Sequence, residues 1–279
     1  MARAMVRRVA FVACLTVAMA VVLFPVYWIA LSAFTPQTVL FSHNFDFLPF
    51  HLSLSNFRIG FKVVPVGTYF WHSVVLATVP TLLSLLVAIP AGYAFGRLKF
   101  VGQRTIIALI VFTGFLPIVV SIIPLFELFK ALHLIGTWWA LFLVYTGFQL
   151  GFTTWILSLF VARIPAELEE AARLDGAGET GVLRHVIAPL LRPALASLFI
   201  VNFLTSWNQF LLPTVFSTGA NTTPLVSGIS QASQNPVLHS VVWGAEAAFG
   251  LVVLVPAVIV VIVFQRRISE GLTAGAVKG

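Results

Sequence analysis

The sequence predicts an all-α polytopic membrane protein with six transmembrane helices and both termini in the cytoplasm. Three observations carry that expectation. Hydrophobic residues fill 59% of 279 positions and charged ones only 9%, where a soluble domain has about a quarter charged. Apolar runs long enough to cross a bilayer, which takes about 20 residues, recur six times. The basic residues, finally, sort by side: 13 of the 16 Lys and Arg fall on the side of the termini, leaving Arg58, Lys62 and Lys130 opposite. Excess positive charge marks the cytoplasmic face.

The six runs cover residues 9–34, 70–95, 105–126, 137–161, 193–215 and 241–264. The first follows Arg7 and Arg8 and contains Ala18-Met19-Ala20, a signal-peptide-like arrangement. It continues unbroken to Phe34, well past an h-region of about 7–15 residues, so it is expected to be a span rather than a cleaved leader. Pro25, Pro80, Pro90, Pro117, Pro124, Pro213 and Pro256 fall in or near the runs. Each permits a kink, although membrane helices also tolerate proline without one. Between the runs, 35–69 and 216–240 lie outside and 162–192 inside, followed by the tail 265–279. None reaches the size of an independent domain, about 40 residues at the least. The expectation is one membrane domain over residues 1–279.

Several chemistries are excluded. The net charge of +7 is carried by basic residues scattered between apolar runs, not gathered in a stripe that would follow nucleic acid. Cys14 is the one cysteine, so no internal disulfide exists. No lysine is followed by Ser or Thr, as a phosphate-binding P-loop requires. Any ATP and Mg used would therefore be bound by another polypeptide, and no cofactor is expected here. The six histidines form no HExxH zinc motif, and no catalytic constellation stands out. Glu246 is the one carboxylate expected inside a span, about one turn from its outer end. It reads as a hydrated path-facing or partner-pairing residue, an interfacial residue or, last, an ion-coupling site.

The loop 162–192 carries the functional argument. Pro165 opens a helix, Glu167, Glu169 and Glu170 complement its positive end, and Gly176 stops it. Glu169 and Arg173 are spaced to pair, and Ile164, Leu168, Ala171 and Ala172 gather towards one face. A short amphipathic helix beneath the membrane follows, which by composition alone serves equally to shield neighbouring helix ends.

Glu170-Ala171-Ala172, Gly176 and Pro189 resemble the EAA-x3-G-x9-I-x-L-P signature of permease subunits in bacterial binding-protein-dependent ABC importers. Val186 and Ala188 replace its isoleucine and leucine. Further matches resemble the carbohydrate-uptake branch, in particular the second permease subunit of the maltose system. They are Phe24-Pro25-Val26-Tyr27-Trp28, Leu54-Ser55-Asn56-Phe57, Ala91 to Arg97, Ser206-Trp207-Asn208-Gln209-Phe210 and the tail Gly271 to Gly279.

The resemblance implies a type I ABC importer permease fold and a non-catalytic subunit forming half of a translocation pathway. It also implies partners: a second permease, two ATPases holding ATP and Mg, an extracytoplasmic solute-binding protein, a sugar substrate and surrounding lipid. The EAA helix would dock on the ATPase through Glu170, Ala171, Ala172, Asp175, Gly176 and Pro189. Gly275, Lys278 and Gly279 would contact the ATPase pair, although a glycine-rich tail by composition reads as disordered. Asn202, Trp207, Asn208, Gln209 and Glu246 are substrate-path candidates, since amides bond sugar hydroxyls and Trp packs on a sugar face. The same polar patch serves equally in hydrogen bonding between subunits. The alternative is a self-contained six-span secondary carrier, which alone would move solute under an ion gradient. The spans hold almost no basic residue for a phosphorylated cargo, which favours a neutral sugar.

Overall fold

The computed structural model describes residues 2–42, 47–48, 52–115, 117–219, 221–233 and 243–273, and every regular element among them is helical. Four helices are long and apolar enough to cross a membrane alone: 7–34, 66–97, 138–161 and 243–264. Two bent pairs raise the number to six if each is one span.

The chain divides into two compact units. The first joins Met1–Val66 to Gly228–Pro256. It holds α1 (Ala2–Phe34), α2 (Gln37–Leu40), α3 (Ser55–Val63) and the start of α14 (Trp243–Thr273). The most apolar stretch of α1 has no buried residue against the described part of the chain, and burial begins only near its end, at Leu31, Ser32 and Ala33. Asn56, fully buried, ties α3 to the end of α1. Its amide nitrogen donates to the carbonyls of Ser32, Ala33 and Thr35 at 3.2, 3.1 and 2.7 Å. Those carbonyls lie where a helix end runs out of intrahelical donors, so the side chain replaces the missing turn. Gln37 likewise accepts the Gly244 N–H at 3.1 Å, at the start of α14.

The second unit, Gly67–Ser227 with Ala257–Gly279, contains most of the buried core. Its long elements are α4 (Val66–Arg97), α5 (Gln103–Phe115), α6 (Ile118–Ala131) and α7 (Trp138–Val161). The loop helices α8 (Glu167–Leu174), α9 (Glu179–Val182) and α10 (Ala188–Leu190) follow, with one π-helical turn at Leu183–Ile187. Beyond them come α11 (Arg192–Trp207), α12 (Leu211–Phe216) and α13 (Leu225–Ser233). Gly92 and Gly96, one turn apart on α4, let it lie directly on α7. A β-carbon at Gly92 would stand 2.7 Å from Leu157 Cβ, and one at Gly96 2.7 Å from the Ser158 carbonyl oxygen. This is the small-xxx-small arrangement by which membrane helices approach closely. His72, buried, bonds the Thr223 carbonyl through Nδ1 at 2.9 Å, and Ser73 accepts the Leu225 N–H at 2.9 Å. Both are structural anchors for the segment leading into α13.

Three of the expected runs take a different course. The third is broken into α5 and α6, whose axes meet at 97°. Pro117, which has no N–H to give, stands at the N-cap of α6. The fifth is not continuous from 193 to 215: α11 stops at Trp207, and α12 starts at Leu211. A helix running through would lose the bond from position 213, because Pro213 cannot donate to the Gln209 carbonyl; early in a new helix that donor is not needed. Upstream, α11 is bent by 72° from the segment Glu179–Leu190. The last helix continues past residue 264 to Thr273.

Candidate functional site

The loop helix α8 begins after Pro165 and ends as expected. Gly176 has φ +89°, its N–H bonds the Arg173 carbonyl at 3.0 Å, and Ala177 N–H bonds the Ala172 carbonyl at 2.9 Å. The left-handed conformation reverses the chain at a position that only glycine adopts without strain.

The buried face of α8 is not the one the sequence suggested. Leu168 is 44% and Leu174 88% exposed, and Ala171 is also exposed. Ala172 and Ile164 do pack against the core. The residue most deeply buried, however, is Glu169, at 1% exposure. A carboxylate taken from water costs several kcal/mol unless it is paired and hydrogen-bonded, and Glu169 is both. Arg97 Nε meets Glu169 Oε1 at 2.5 Å, and Tyr93 Oη donates to Oε2 at 3.0 Å. Tyr93 and Arg97 are four apart near the end of α4, so one helix face presents both. Arg97 also donates through Nη2 to the Ile164 carbonyl at 2.5 Å, holding the segment that leads into α8.

The pair expected within α8 forms as well, with Arg173 Nη2 3.6 Å from Glu169 Oε2. Arg173 then reaches α9, donating to Glu179 Oε1 from Nε at 3.1 Å and to Oε2 from Nη2 at 3.2 Å. Tyr93 Oη stands 3.2 Å from Glu179 Oε2. The hydrogen bond from Arg173 holds the Glu179 carboxyl below the usual carboxylate range, and the same bond raises Arg173. One end of α4 is thus joined to α8 and α9 by five charged or phenolic side chains. Of these, the sequence revealed only the Glu169–Arg173 pair.

On the opposite side of α8, Glu170, Ala171 and Asp175 face outwards, with Gly176 beyond them. Pro189 sits half-buried in α10, just after the π-helical turn. Its missing N–H cannot serve the carbonyl one turn back, and a wider turn is where a helix absorbs such a loss. Gly275, Lys278 and Gly279 lie outside the described residues.

The expected polar patch of the fifth run separates into different environments. Asn202, buried, donates to Thr153 Oγ1 on α7 at 2.9 Å, and Ser84 on α4 reaches the same Thr153 oxygen at 3.4 Å. Trp207 is buried edge-to-face against Phe70, with ring centroids 5.6 Å apart. Asn208 is exposed and caps α11, its amide donating to the Leu204 carbonyl at 2.9 Å. Gln209 is half-buried and lines a cavity of about 320 Å³ with Gly114, Gln149, Asn202 and Ser206. Gln149 donates through Nε2 to Ser206 Oγ at 2.5 Å, while its side-chain oxygen Oε1 has no hydrogen-bond partner among the described residues. In the first unit, Glu246 stands half-buried in the first turn of α14, beside a cavity of about 370 Å³ lined also by Trp28 and Trp243. Among the described residues, no group of three or more His, Cys, Asp or Glu could hold a metal ion.

Long apolar helices, with a charged loop helix fastened to the end of one of them, define a multi-pass membrane protein. Residues 84–273 match the family described as binding-protein-dependent transport system inner membrane component. The chain belongs to that family. It is 33% identical to the sulfoquinovosyl glycerol transport system permease protein SmoH of Agrobacterium fabrum, over 92% of this chain and 89% of the relative. It is 32% identical to the trehalose transport system permease protein SugB of Mycobacterium tuberculosis, over 92% and 93%. Among solved structures, a chain of a bacterial ABC transporter involved in import of the acidic polysaccharide alginate superposes with TM-score 0.79 at 20% identity, covering 94% of this chain and 96% of that one. A chain of an alginate transporter in complex with an alginate pentasaccharide-bound periplasmic protein gives 0.65 at 13% identity, over 95% and 97%. The fold is therefore that of an ABC importer membrane subunit.

Proposed function

We propose that this chain is one of two membrane subunits of an ATP-driven sugar importer, with six spans and both termini in the cytoplasm. Its partners are a second permease, two ATPases that bind ATP and Mg, and an extracytoplasmic binding protein that delivers the sugar. The chain has no catalytic role of its own. Relatives are described as permeases for a sulfoquinovosyl glycerol, for trehalose and for diacetylchitobiose, which supports a carbohydrate cargo without naming it.

One observation carries the reading. The helix α8 is fixed on its inner face by a buried carboxylate while Glu170, Ala171 and Asp175 stay free on its outer face. A small, acidic, firmly held surface suits docking into a cleft on another protein. When two ATPases close on ATP, α8 and its counterpart on the second permease move together, and the spans change from inward-open to outward-open as rigid bodies. Gly176 and Pro189 shape the return from α8 into the next span, and the tail with Gly275, Lys278 and Gly279 adds contacts to the ATPase pair. Gln209, Asn202 and Glu246, with Trp207 and Asn208 nearby in sequence, are the residues to test along the sugar path.

The test is purification of the tagged chain from its native host in mild detergent. An ATPase, a second permease and a binding protein should accompany the wild-type chain. Glu170→Lys should insert and accumulate normally yet lose the ATPase, because a positive charge replaces the negative one on the exposed face. Retention of the ATPase by that variant would remove Glu170 from the docking surface, and recovery of the wild-type chain without any ATPase would remove the importer reading itself.

A further inference from the structure

Glu169, adjacent in sequence to the exposed Glu170, is buried and engaged by Tyr93 and Arg97 of α4 and by Arg173 of α8 itself. We infer that Glu169 is a positioning residue that fastens α8 to the end of α4 so that the two move as one body. The inference rests on the proposed role of α8 as the helix that receives ATPase motion.

The geometry supports a rigid link rather than a surface ion pair. Glu169 is 1% exposed, and both its oxygens are engaged, Oε1 by Arg97 and Oε2 by Tyr93 and Arg173. Arg97 spends a second donor on the Ile164 carbonyl, so a single guanidinium grips the loop before α8 and the carboxylate within it. A slide of α8 that keeps Glu169 covered while taking it from its partners would leave an uncompensated buried charge, which disfavours that movement. Exposed pairs impose no such cost. Beneath the link, Gly92 and Gly96 bring α4 against α7 at backbone contact, so a force on α8 meets closely packed helices rather than a flexible hinge. The neighbouring acids thus divide the work: Glu170 meets the partner, and Glu169 transmits what the partner does.

The complete importer, purified with its partners and reconstituted in lipid, provides the test. In a Cys14→Ser background, spin labels replace Leu98, just past α4, and Leu174, at the end of α8; both are exposed. The label distance is measured without nucleotide and after trapping with ATP and vanadate. The expected result is one narrow distance, the same in both states, that broadens in Glu169→Gln and narrows again when Glu169→Arg is combined with Arg97→Glu. Stimulation of ATP hydrolysis by the copurified binding protein should fall about 5- to 20-fold in Glu169→Gln, a coupling effect of ordinary size, and recover in part in the double variant. A distance that shifts between states by about one helical turn, roughly 5 Å, in the otherwise wild-type complex would overturn the inference. So would a Glu169→Gln complex that keeps both the narrow distance and full stimulation. If Glu169→Gln does not accumulate, the measurement on the otherwise wild-type complex decides alone. Absence of an ATPase from the wild-type preparation is a separate result, which counts against the importer reading.

Discussion

Glu169 and Glu170 are neighbours of the same type with opposite surroundings, the first buried against Arg97 and Tyr93 and the second exposed. The expected inner face of α8 was counted from apolar residues, a rule that works when burial is driven by removing hydrocarbon from water. Here the strongest inward pull comes from Arg97 and Tyr93, more than 70 residues earlier in the chain. Their four-residue spacing at the end of a span was legible; their target was not. The left-handed turn at Gly176, by contrast, depended on one residue's own backbone freedom and was read correctly. Charge at this site also sets a pH response. Glu179 is held below the usual carboxyl value of 4.5 by Arg173, so its contribution is complete above that value and is lost as pH falls through the depressed one. Both partners are exposed, so the effect is small. Hydrogen-exchange protection of the α8–α9 segment, taken relative to the intrinsic amide rate at each pH, should fall on acidification below pH 4.5 in the wild type, and Glu179→Gln should show the lower protection already at neutral pH. Equal exchange in the two proteins at neutral pH would contradict this.

Among the elements, existence was easier to read than continuity. Hydropathy marks apolar runs because lipid demands an apolar surface, and four of the six expected runs fall on helices long and apolar enough to cross a membrane alone. It missed the breaks in the third and fifth runs, because hydropathy averages over residues whose backbone bonds have failed. Pro117 and Pro213 were noticed, but only the assembled chain distinguishes a proline that bends a helix from one that starts a new one. Pro25, Pro80, Pro90, Pro124 and Pro256 all lie inside helices. Gly92 and Gly96 likewise carry no hydropathy signal of their own, so the packing surface they make on α4 shows only in the fold. Gly92→Leu should cost several kcal/mol by forcing α4 off α7, in the upper range for overpacking, and should cut accumulation in the membrane. Gly147→Ala, where an added β-carbon meets nothing within 4 Å, should accumulate like the wild type. Quantitative immunoblotting of membranes separates the two, and similar levels would mean that α4 and α7 do not need their close approach.

For the whole molecule, the class of protein was readable from composition, and the family from a handful of spaced residues in one loop. Residues 274–279 and the segment 234–242 lie outside the described residues, so expectations placed there gain nothing from the fold. Sidedness rests on the charge sorting, which single cysteines can test. In Cys14→Ser cells, a cysteine replacing Arg58 should react with a membrane-impermeant maleimide from outside, and one replacing Leu174 only after the membrane is opened. Both positions are exposed, so lack of access would not explain a reversed pattern, and a reversed pattern would invert the topology.

The buried carboxylate also bears on how the chain is made. Arg97 leaves the ribosome well before Glu169, and the two must finish on the same side of the bilayer to meet. A nascent chain in which one of the apolar segments between them failed to cross would hold the arginine on one side and the acid on the other. Both charges would then stay hydrated and α8 undocked, its peptide bonds open to quality-control proteases. The contact that fastens the loop helix in the finished protein can therefore form only in chains whose intervening segments cross the bilayer an even number of times.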